Sequence, residues 1–177
     1  VKKDVHLASM SGGTDICGCF VASIPTLPVY RGELQGPCLG MATAVFDPQG
    51  NVAAQDEKGE LVCTVPFPSK PIGFWGDTNH EKYLSAYFEG FPGVWTHGDF
   101  ASTSKTGGFT LYGRSDATLN SRGVRIGTAE IYRVVETFPQ IQECMAVSQD
   151  WDNDTRVVLF IVVKNDQVFD AEVAKDI

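Results

Sequence analysis

Short alternating runs of hydrophobic and polar residues dominate the first two thirds of the chain. This alternation predicts strands at residues 5–8, 41–46 and 60–65, each bounded by Gly, Pro or Asp. A turn is expected at 47–51, and a helix over 79–88 with Asn79 as its cap. The pattern favours a β-rich fold, either a distorted barrel or a sandwich of sheets.

The pattern changes to helical spacing after Asp116. Thr128 can cap the predicted helix, and Glu130 suits its positive end. Apolar residues recur at i, i+3, i+4 and i+7 and define one face of this helix: Ile131, Val134, Val135 and Phe138.

Two strands are predicted after this helix, at 143–147 and 155–163, and a further helix opens at residue 170. The second strand is apolar on both faces, so we expect it to be central in its sheet. The two patterns together predict an α+β chain, with a β-rich part over 1–115 and a small α/β part over 116–177.

Length, composition and charge narrow the class of protein. The chain has 177 residues, of which 43% are hydrophobic, which supports a packed core rather than disorder. The net charge of −8 argues against a nucleic-acid-binding face. We find no run long enough for a membrane span and no signal peptide. Because the sequence does not begin with Met, we expect an excised piece of a longer protein, called the parent protein below.

The cysteines favour an intracellular protein. Their number, five, is odd, and Cys17 and Cys19 are separated by one residue rather than the two typical of zinc or redox pairs. We expect the cysteines to be reduced and mostly buried, in a cytoplasmic protein. The acidic run at 150–154 lacks the Gly and Glu of a calcium loop and is predicted to be a solvated hairpin turn.

Two clusters of glycine and arginine carry the most specific signal. The first, Gly113-Arg114-Ser115-Asp116, ends a strand predicted from Phe109. The second, Arg122-Gly123-Val124-Arg125-Ile126-Gly127, leads into the predicted helix. A guanidinium at the end of a strand can meet a polyhydroxyl or anionic ligand. The ordered pair of clusters is hard to obtain by chance.

These clusters resemble the signature of the adenylate-forming superfamily, which includes acyl-CoA synthetases, luciferases and peptide-synthetase adenylation domains. Three further blocks stand in the order of that superfamily: Ser11-Gly12-Gly13-Thr14-Asp15, Gly59-Glu60-Leu61-Val62-Cys63 and Trp95-Thr96-His97-Gly98-Asp99. The resemblance covers residues 9–163. The stretches 11–16, 86–88 and 113–120 are most similar to a subgroup of acid–CoA ligases that acts on a short keto acid.

The resemblance implies a domain organisation and a set of ligands. Residues 1–115 would be the C-terminal, barrel-like part of a large adenylate-forming domain, and 116–177 an incomplete mobile domain. The ligands would be ATP, Mg²⁺ and CoA. Both ATP and CoA are polyanions, so a chain of net charge −8 would hold them through Mg²⁺ and local arginines rather than by long-range attraction.

The glycine loop at 12–15 is assigned to phosphate by this resemblance. Thr14 would contact phosphate and Asp15 would help to hold Mg²⁺, while Gly12 and Gly13 let the backbone approach closely. Acetate-using relatives have Trp at the position of Gly12, so Gly12 is expected to make room for a longer acid and Gly12→Trp to close that room. The alternative is an ordinary turn, because Gly-Gly-Thr-Asp is good turn chemistry.

The resemblance assigns Asp99 and Arg114 to the ribose. A carboxylate can accept hydrogen bonds from both vicinal hydroxyls. The alternative is a structural salt bridge between these two residues. His97 stands where the superfamily usually has Thr, and no role is assigned to it.

Asp116 matches the hinge about which the mobile domain rotates between the two half-reactions. Gly123 and Arg125 match positions that face the CoA channel, where glycine leaves room for the pantetheine arm. The alternatives are a polar loop residue for Asp116 and a β-turn with a surface arginine for the other two.

The implied activity is that of a ligase in two steps. An acid and ATP form an acyl-adenylate with release of pyrophosphate, and the acyl group then passes to CoA with release of AMP. Two alternatives stay open: a ligase for another short or medium acid, and a non-catalytic module that binds nucleotide weakly or binds only partners. The phosphate-cradling loop and the adenylation lysine of the superfamily have no match in this chain.

We predict that the isolated chain does not form acyl-adenylate, because those two elements have no match in it. Acid-dependent exchange of labelled pyrophosphate into ATP measures this step. Exchange at an ordinary enzyme rate would show that the chain itself carries the adenylation machinery.

Overall fold

The computed structural model describes residues 3–121, 124–151 and 154–177, which form eleven strands and three helices. They divide into two compact units, Val1–Leu111 and Tyr112–Ile177. The assignment of 1–115 and 116–177 to an adenylate-forming and a mobile domain stays a prediction. The last strand of the first unit continues into the second.

The first unit is built from two antiparallel arrangements of strands and one helix. Its elements are β1 (Ser11–Gly13), β2 (Gly18–Ala22), β3 (Gly36–Pro37), β4 (Thr43–Phe46), β5 (Gly59–Cys63), α1 (Glu81–Phe88), β6 (Trp95–Thr103) and β7 (Phe109–Arg114). Strands β1–β3 form one sheet and β4–β7 another, each in sequence order. The predicted β-rich architecture is confirmed, and within the described ranges both sheets are open rather than closed into a barrel.

One apolar core joins both sheets to α1. Its largest fully buried side chains are those of Trp95, Phe20, Ile16 and Leu61. The ring of Tyr87 in α1 stacks on Trp95, with centroids 3.8 Å apart and 16° between the planes. Such aromatic pairs contribute about 0.5–1.5 kcal/mol beyond the burial of their area. The core therefore fixes α1 against β6.

The turn at 47–51 forms as predicted. The Asp47 carboxylate accepts the backbone N–H groups of Gln49 and Asn51, each at 2.9 Å. These bonds, above all those from Asn51, lower the pKa of Asp47. The turn returns the chain alongside β4, where Val52 pairs with Phe46 and the Ala53 N–H donates to the Val45 carbonyl at 2.9 Å.

Helix α1 begins later than expected and has a different cap. The Asp77 carboxylate accepts the backbone N–H groups of Lys82 at 3.3 Å and Tyr83 at 2.9 Å. His80 precedes the helix with a φ of 57° and provides no side-chain cap. The prediction of Asn79 as the cap is wrong, because Asp77 reaches the free N–H groups of the first turn instead.

The second unit contains two hairpins and two helices. Its elements are β8 (Thr118–Ser121), β9 (Val124–Gly127), α2 (Thr128–Val135), β10 (Ile141–Trp151), β11 (Asp154–Val163) and α3 (Ala171–Asp176). Strands β10 and β11 pair antiparallel down to Trp151 and Asp154, as a hairpin requires, and residues 152 and 153 of the predicted turn lie outside the described residues. The Tyr132 hydroxyl of α2 accepts the N–H of Ala146 at 3.2 Å and ties the helix to β10.

Several local predictions are wrong. Residues 5–8 are irregular rather than a strand, and Val5 and Leu7 are exposed. Strand β11 is not central, because within the described ranges it pairs with β10 alone, and Phe160 is 54% exposed. A strand that is apolar on both faces needs packing partners on both faces. The described neighbours of β11 do not cover both of them.

Helix α2 is shorter than its pattern suggests. It ends at Val135, so Phe138 lies in the following turn, and Val134 is exposed. Gly127, and not Thr128, occupies the N-cap position, without a side-chain hydrogen bond. The apolar spacing identified the helix but not its ends.

The cysteines are free, as expected, but they are not mostly buried. Cys63 is buried, Cys17 is exposed, and the other three are partly exposed. Burial raises the pKa of the Cys63 thiol.

The part of the chain that the structure describes has no helix long and apolar enough to cross a membrane.

We predict that Gly59→Ala destabilises the fold. A Cβ at Gly59 would overlap the carbonyl oxygen of Phe46 and lie 2.9 Å from Val45 Cγ1, so strands β4 and β5 would have to move apart. Overpacking of this kind costs about 1–3 kcal/mol in free energy of unfolding. Gly90→Ala is the control, because its Cβ would meet one atom, Thr96 Oγ1, at 3.8 Å. The measurement is Tm of the parent protein, and equal Tm values for the two variants would contradict the strand contact.

Candidate active site

The predicted phosphate loop is the turn between β1 and β2. Gly13 pairs with Gly18, so residues 14–17 form the connection, which the Cys17 N–H closes by donating to the Thr14 carbonyl at 3.3 Å. Ile16 is fully buried and anchors this turn in the core, whereas Thr14 and Asp15 are exposed. A hydroxyl and a carboxylate are therefore presented to solvent on an anchored backbone.

An open groove of about 580 Å³ lies along this hairpin. Gly12, Gly13 and Thr14 line it, together with Met10 and residues 17–19. The position of the groove is compatible with the predicted roles of Gly12, Gly13 and Thr14.

The structure gives a different reason for glycine at position 12. A Cβ there would overlap the Gly18 carbonyl oxygen and the Cys19 Cα of the neighbouring strand. Any side chain would therefore displace β2 before it could fill the groove. The idea that Gly12 makes room for a longer acid stays a prediction, and Gly12→Trp is not a clean test of it.

Both carboxylate oxygens of Asp15 have a hydrogen-bond donor. The Ile16 N–H donates to Oδ1 at 3.0 Å, and the Tyr87 hydroxyl donates to Oδ2 at 2.8 Å. Tyr87 lies 72 residues away in α1. Tyr87 lies within a stretch that resembles a subgroup of ligases, but no local pattern in the sequence indicates so distant a contact.

The residues present fit a Mg²⁺ ion held jointly with phosphates. Each oxygen of Asp15 keeps a lone pair after its one hydrogen bond, and the Thr14 hydroxyl is adjacent. Protein sites commonly bind Mg²⁺ through one or two carboxylates plus substrate phosphates. Within the described ranges we find no cluster of three or more metal-binding side chains. Asp15 as a metal ligand stays a prediction.

Asp99 lies in a bulge of β6. Glu60 pairs with Phe100 and Val62 with Thr96, which leaves three residues, 97–99, opposite Leu61. The Glu60 carboxylate accepts the N–H of Gly98 at 3.0 Å and holds the bulge in place. Bulges of this kind re-aim side chains near functional sites. The Gly-Glu-Leu block, predicted to be a structural strand, thus also fixes the backbone next to Asp99.

His97 lies beneath the glycine loop. It is 6% exposed, meets the Phe20 ring edge-on at 4.6 Å, and its Cε1 lies 3.1 Å from the position of a Cβ on Gly13. Neither ring nitrogen has a hydrogen-bond partner among the described residues, and Nε2 is 3.6 Å from Asp99 Oδ2, beyond hydrogen-bond distance. His97 therefore lies between Gly13, which precedes the turn with Thr14 and Asp15, and Asp99 in the bulge.

The second unit carries the remaining predicted residues. Arg114, at the end of β7, forms a two-point salt bridge with Asp116, one contact being Nε to Oδ1 at 2.8 Å. Their side chains are 48% and 59% exposed, and exposed pairs of this kind contribute about 0–1 kcal/mol. Two residues assigned to different roles thus pair with each other. The shared ribose role of Asp99 and Arg114 stays a prediction.

Of the two predicted CoA-channel residues, the structure describes only the backbone of one. Gly123 lies outside the described residues, and Arg125 is described through its backbone in β9, opposite Asn120. Both assignments stay predictions. So does the hinge role of Asp116.

Comparison with known proteins agrees with the motifs. No family model matches the chain. The chain is 55% identical to acetoacetyl-coenzyme A synthetase of Rhizobium meliloti (strain 1021) over 91% of its own length and 25% of that protein. It is 46% identical to acetoacetyl-CoA synthetase of Gallus gallus over its whole length and 27% of that protein. The chain thus spans about a quarter of the curated relatives it matches.

Solved structures give the same result. The acetoacetyl-CoA synthetase from Streptomyces lividans has a TM-score of 0.80 and 43% identity, and the match covers 94% of this chain and 25% of that one. The anthranilate CoA ligase AuaEII, solved with anthranoyl-AMP, has a TM-score of 0.71 at 20% identity, over 96% of this chain and 31% of that one. The second likeness shows the fold alone.

These findings confirm the predicted resemblance to the adenylate-forming acyl-CoA synthetases: in sequence and in fold the chain is similar to about a quarter of such a protein. Within that class, the relatives to which it is similar at 45–55% identity are acetoacetyl-CoA synthetases. The subgroup expected from residues 11–16, 86–88 and 113–120 is the same one.

We predict that Gly12→Ala disrupts the hairpin at the groove whereas Gly18→Ala does not. A Cβ at Gly12 would overlap backbone atoms of β2, but one at Gly18 would meet its nearest atom at 3.6 Å, an ordinary contact. Both variants change the same hairpin by one methyl group. Tm of the parent protein should fall in Gly12→Ala and stay close to wild type in Gly18→Ala. The reverse order would show that β1 and β2 do not approach closely at Gly12.

Proposed function

We propose that the chain is part of an AMP-forming acetoacetate–CoA ligase, and that it supplies nucleotide and metal contacts of the active site. The observation that carries the proposal is the convergence of the turn at Thr14 and Asp15 with the bulge at Asp99 through His97. The choice of acid is supported by similarity to acetoacetyl-CoA synthetases along the whole chain.

The first half-reaction would take place at this convergence. The carboxylate of acetoacetate attacks the α-phosphorus of ATP, the bond to the β-phosphate breaks, and pyrophosphate leaves. Thr14 donates a hydrogen bond to phosphate, while Asp99 accepts hydrogen bonds from the ribose hydroxyls, with Arg114 as a second ribose contact. Asp15 would hold Mg²⁺, whose charge when bound offsets negative charge at the phosphates.

The second half-reaction would use the other unit. The thiol of CoA attacks the acyl carbon, the bond to the phosphate oxygen breaks, and AMP leaves. We assign residues 1–115 to the adenylate-forming domain and 116–177 to the mobile domain, with Asp116 as the hinge. Gly123 and Arg125 would face the CoA channel. The free cysteines support a cytoplasmic setting.

The identity of the acid substrate is tested with the parent protein. Acid-dependent pyrophosphate exchange is measured with acetoacetate, acetate and butyrate, followed by formation of the acyl-CoA. We expect kcat/KM to be highest with acetoacetate. Preference for another acid would keep the class of ligase and change its substrate, and a protein without exchange for any acid would favour a non-catalytic nucleotide-binding or partner-binding module.

The hinge gives a sharper prediction. Asp116→Pro, which fixes φ, should spare pyrophosphate exchange and lower thioester formation by about a hundredfold, the order expected when reacting groups are misplaced. Asp116→Ala is the control, because it removes the pairing with Arg114 but leaves the backbone free to rotate. If Asp116→Pro lowered both half-reactions equally, the hinge assignment would be wrong.

A further inference from the structure

Tyr87 holds the carboxylate to which the proposed function assigns Mg²⁺. Its hydroxyl donates to Asp15 Oδ2 at 2.8 Å, while the Ile16 N–H donates to Oδ1 at 3.0 Å. The geometry points to Tyr87 as a positioning residue that orients Asp15 for binding of Mg²⁺·ATP. This inference rests on the proposed function and adds a residue to it.

The ring of Tyr87 is itself held firmly. It stacks on Trp95, which is 2% exposed, and it contacts the ring of Tyr83 at 5.5 Å and that of Phe74 at 5.7 Å. Trp95 is in turn packed edge-on against Phe67 at 5.4 Å. Packing of the ring against the core therefore fixes the position of the Tyr87 hydroxyl.

The carboxylate of Asp15 needs such a fixed donor to hold one orientation. It lies in an exposed turn, and the terminal torsion of a carboxylate is broad when nothing restrains it. One donor on each oxygen selects a single orientation of the carboxylate plane and leaves one lone pair on each oxygen for a cation. Partners of this kind orient metal ligands, and their loss commonly lowers metal affinity.

Tyr83 provides a matched comparison within the same helix. It lies one turn before Tyr87, also packs against Trp95, and donates its hydroxyl to the Pro71 carbonyl at 2.6 Å. That bond joins two parts of the scaffold. The hydroxyl of Tyr87 ends instead on an exposed carboxylate next to the groove, where its effect should be on ligand binding more than on folding.

The experiment measures equilibrium binding by calorimetry in the parent protein without acid, so that no reaction occurs. The probes are ATP with Mg²⁺ and ATP with EDTA. We expect Tyr87→Phe to raise the Kd for Mg²⁺·ATP by about 10- to 100-fold and the Kd for metal-free ATP by less than about twofold, the range for loss of a partner that orients a metal ligand. Tyr83→Phe should leave both Kd values near wild type, although it lowers Tm.

A double-mutant cycle tests whether Tyr87 acts through Asp15. In the Asp15→Asn background, Tyr87→Phe should cause no further loss of Mg²⁺·ATP affinity. The inference is overturned if Tyr87→Phe binds Mg²⁺·ATP like wild type, if it weakens both forms of ATP equally, if the losses in the cycle add, or if Tyr87→Phe lowers Tm as much as Tyr83→Phe.

The binding test of Tyr87 does not depend on which acid the parent protein uses as substrate. A wild-type protein that binds Mg²⁺·ATP but shows no acetoacetate-dependent exchange would refute the proposed function and leave the role of Tyr87 intact. A wild-type protein that is active, with Tyr87→Phe binding Mg²⁺·ATP normally, would refute the positioning role alone.

Discussion

Burial of the Trp95 indole is the constraint on which the first unit depends. Trp95 opens β6, and its ring contacts Tyr83, Tyr87 and Phe88 of α1 as well as Phe67. Two residues further along the same strand, His97 packs against Phe20 of β2. One row of inward-facing side chains therefore sets the positions of β2, β6 and α1. These three elements hold or flank every candidate site residue of the first unit.

Polar groups near this core differ in whether they have a hydrogen-bond partner. The Glu60 carboxylate satisfies the N–H of Gly98, so the bulge that contains Asp99 is stable despite its break in strand pairing. The imidazole of His97 is buried without a hydrogen-bond partner among the described residues, which is costly. Such groups are rare in folded proteins and often have a functional explanation. His97 lies between the two segments assigned to phosphate and ribose.

Electrostatics in this chain is local. With a net charge of −8, the surface does not attract polyanions at long range. The proposed binding of ATP would rely on short contacts: a carboxylate that can share a cation with phosphates, backbone exposed by glycine, and hydroxyl donors. Arg114, the cation that the motif assigns to the ribose, pairs with Asp116 at the surface, and an exposed ion pair is easily exchanged for a ligand.

The sequence by itself determined the class of protein, the β-rich first part and the helix that follows the second glycine–arginine cluster, because these inferences depend on local spacing and on ordered motifs. The same motifs single out Thr14, Asp15, Asp99, Arg114 and Asp116 as candidates, and their roles stay predictions. Tertiary structure alone decided the contact of Tyr87 with Asp15, the cap at Asp77, the bond from Gly98 to Glu60, and the backbone contact that requires glycine at position 12. Each joins residues, often far apart in sequence, through packing that no local pattern encodes. The predictions of a strand at 5–8 and of a central position for β11 were wrong for the same reason. An apolar run indicates that a face must be buried, but not which element buries it.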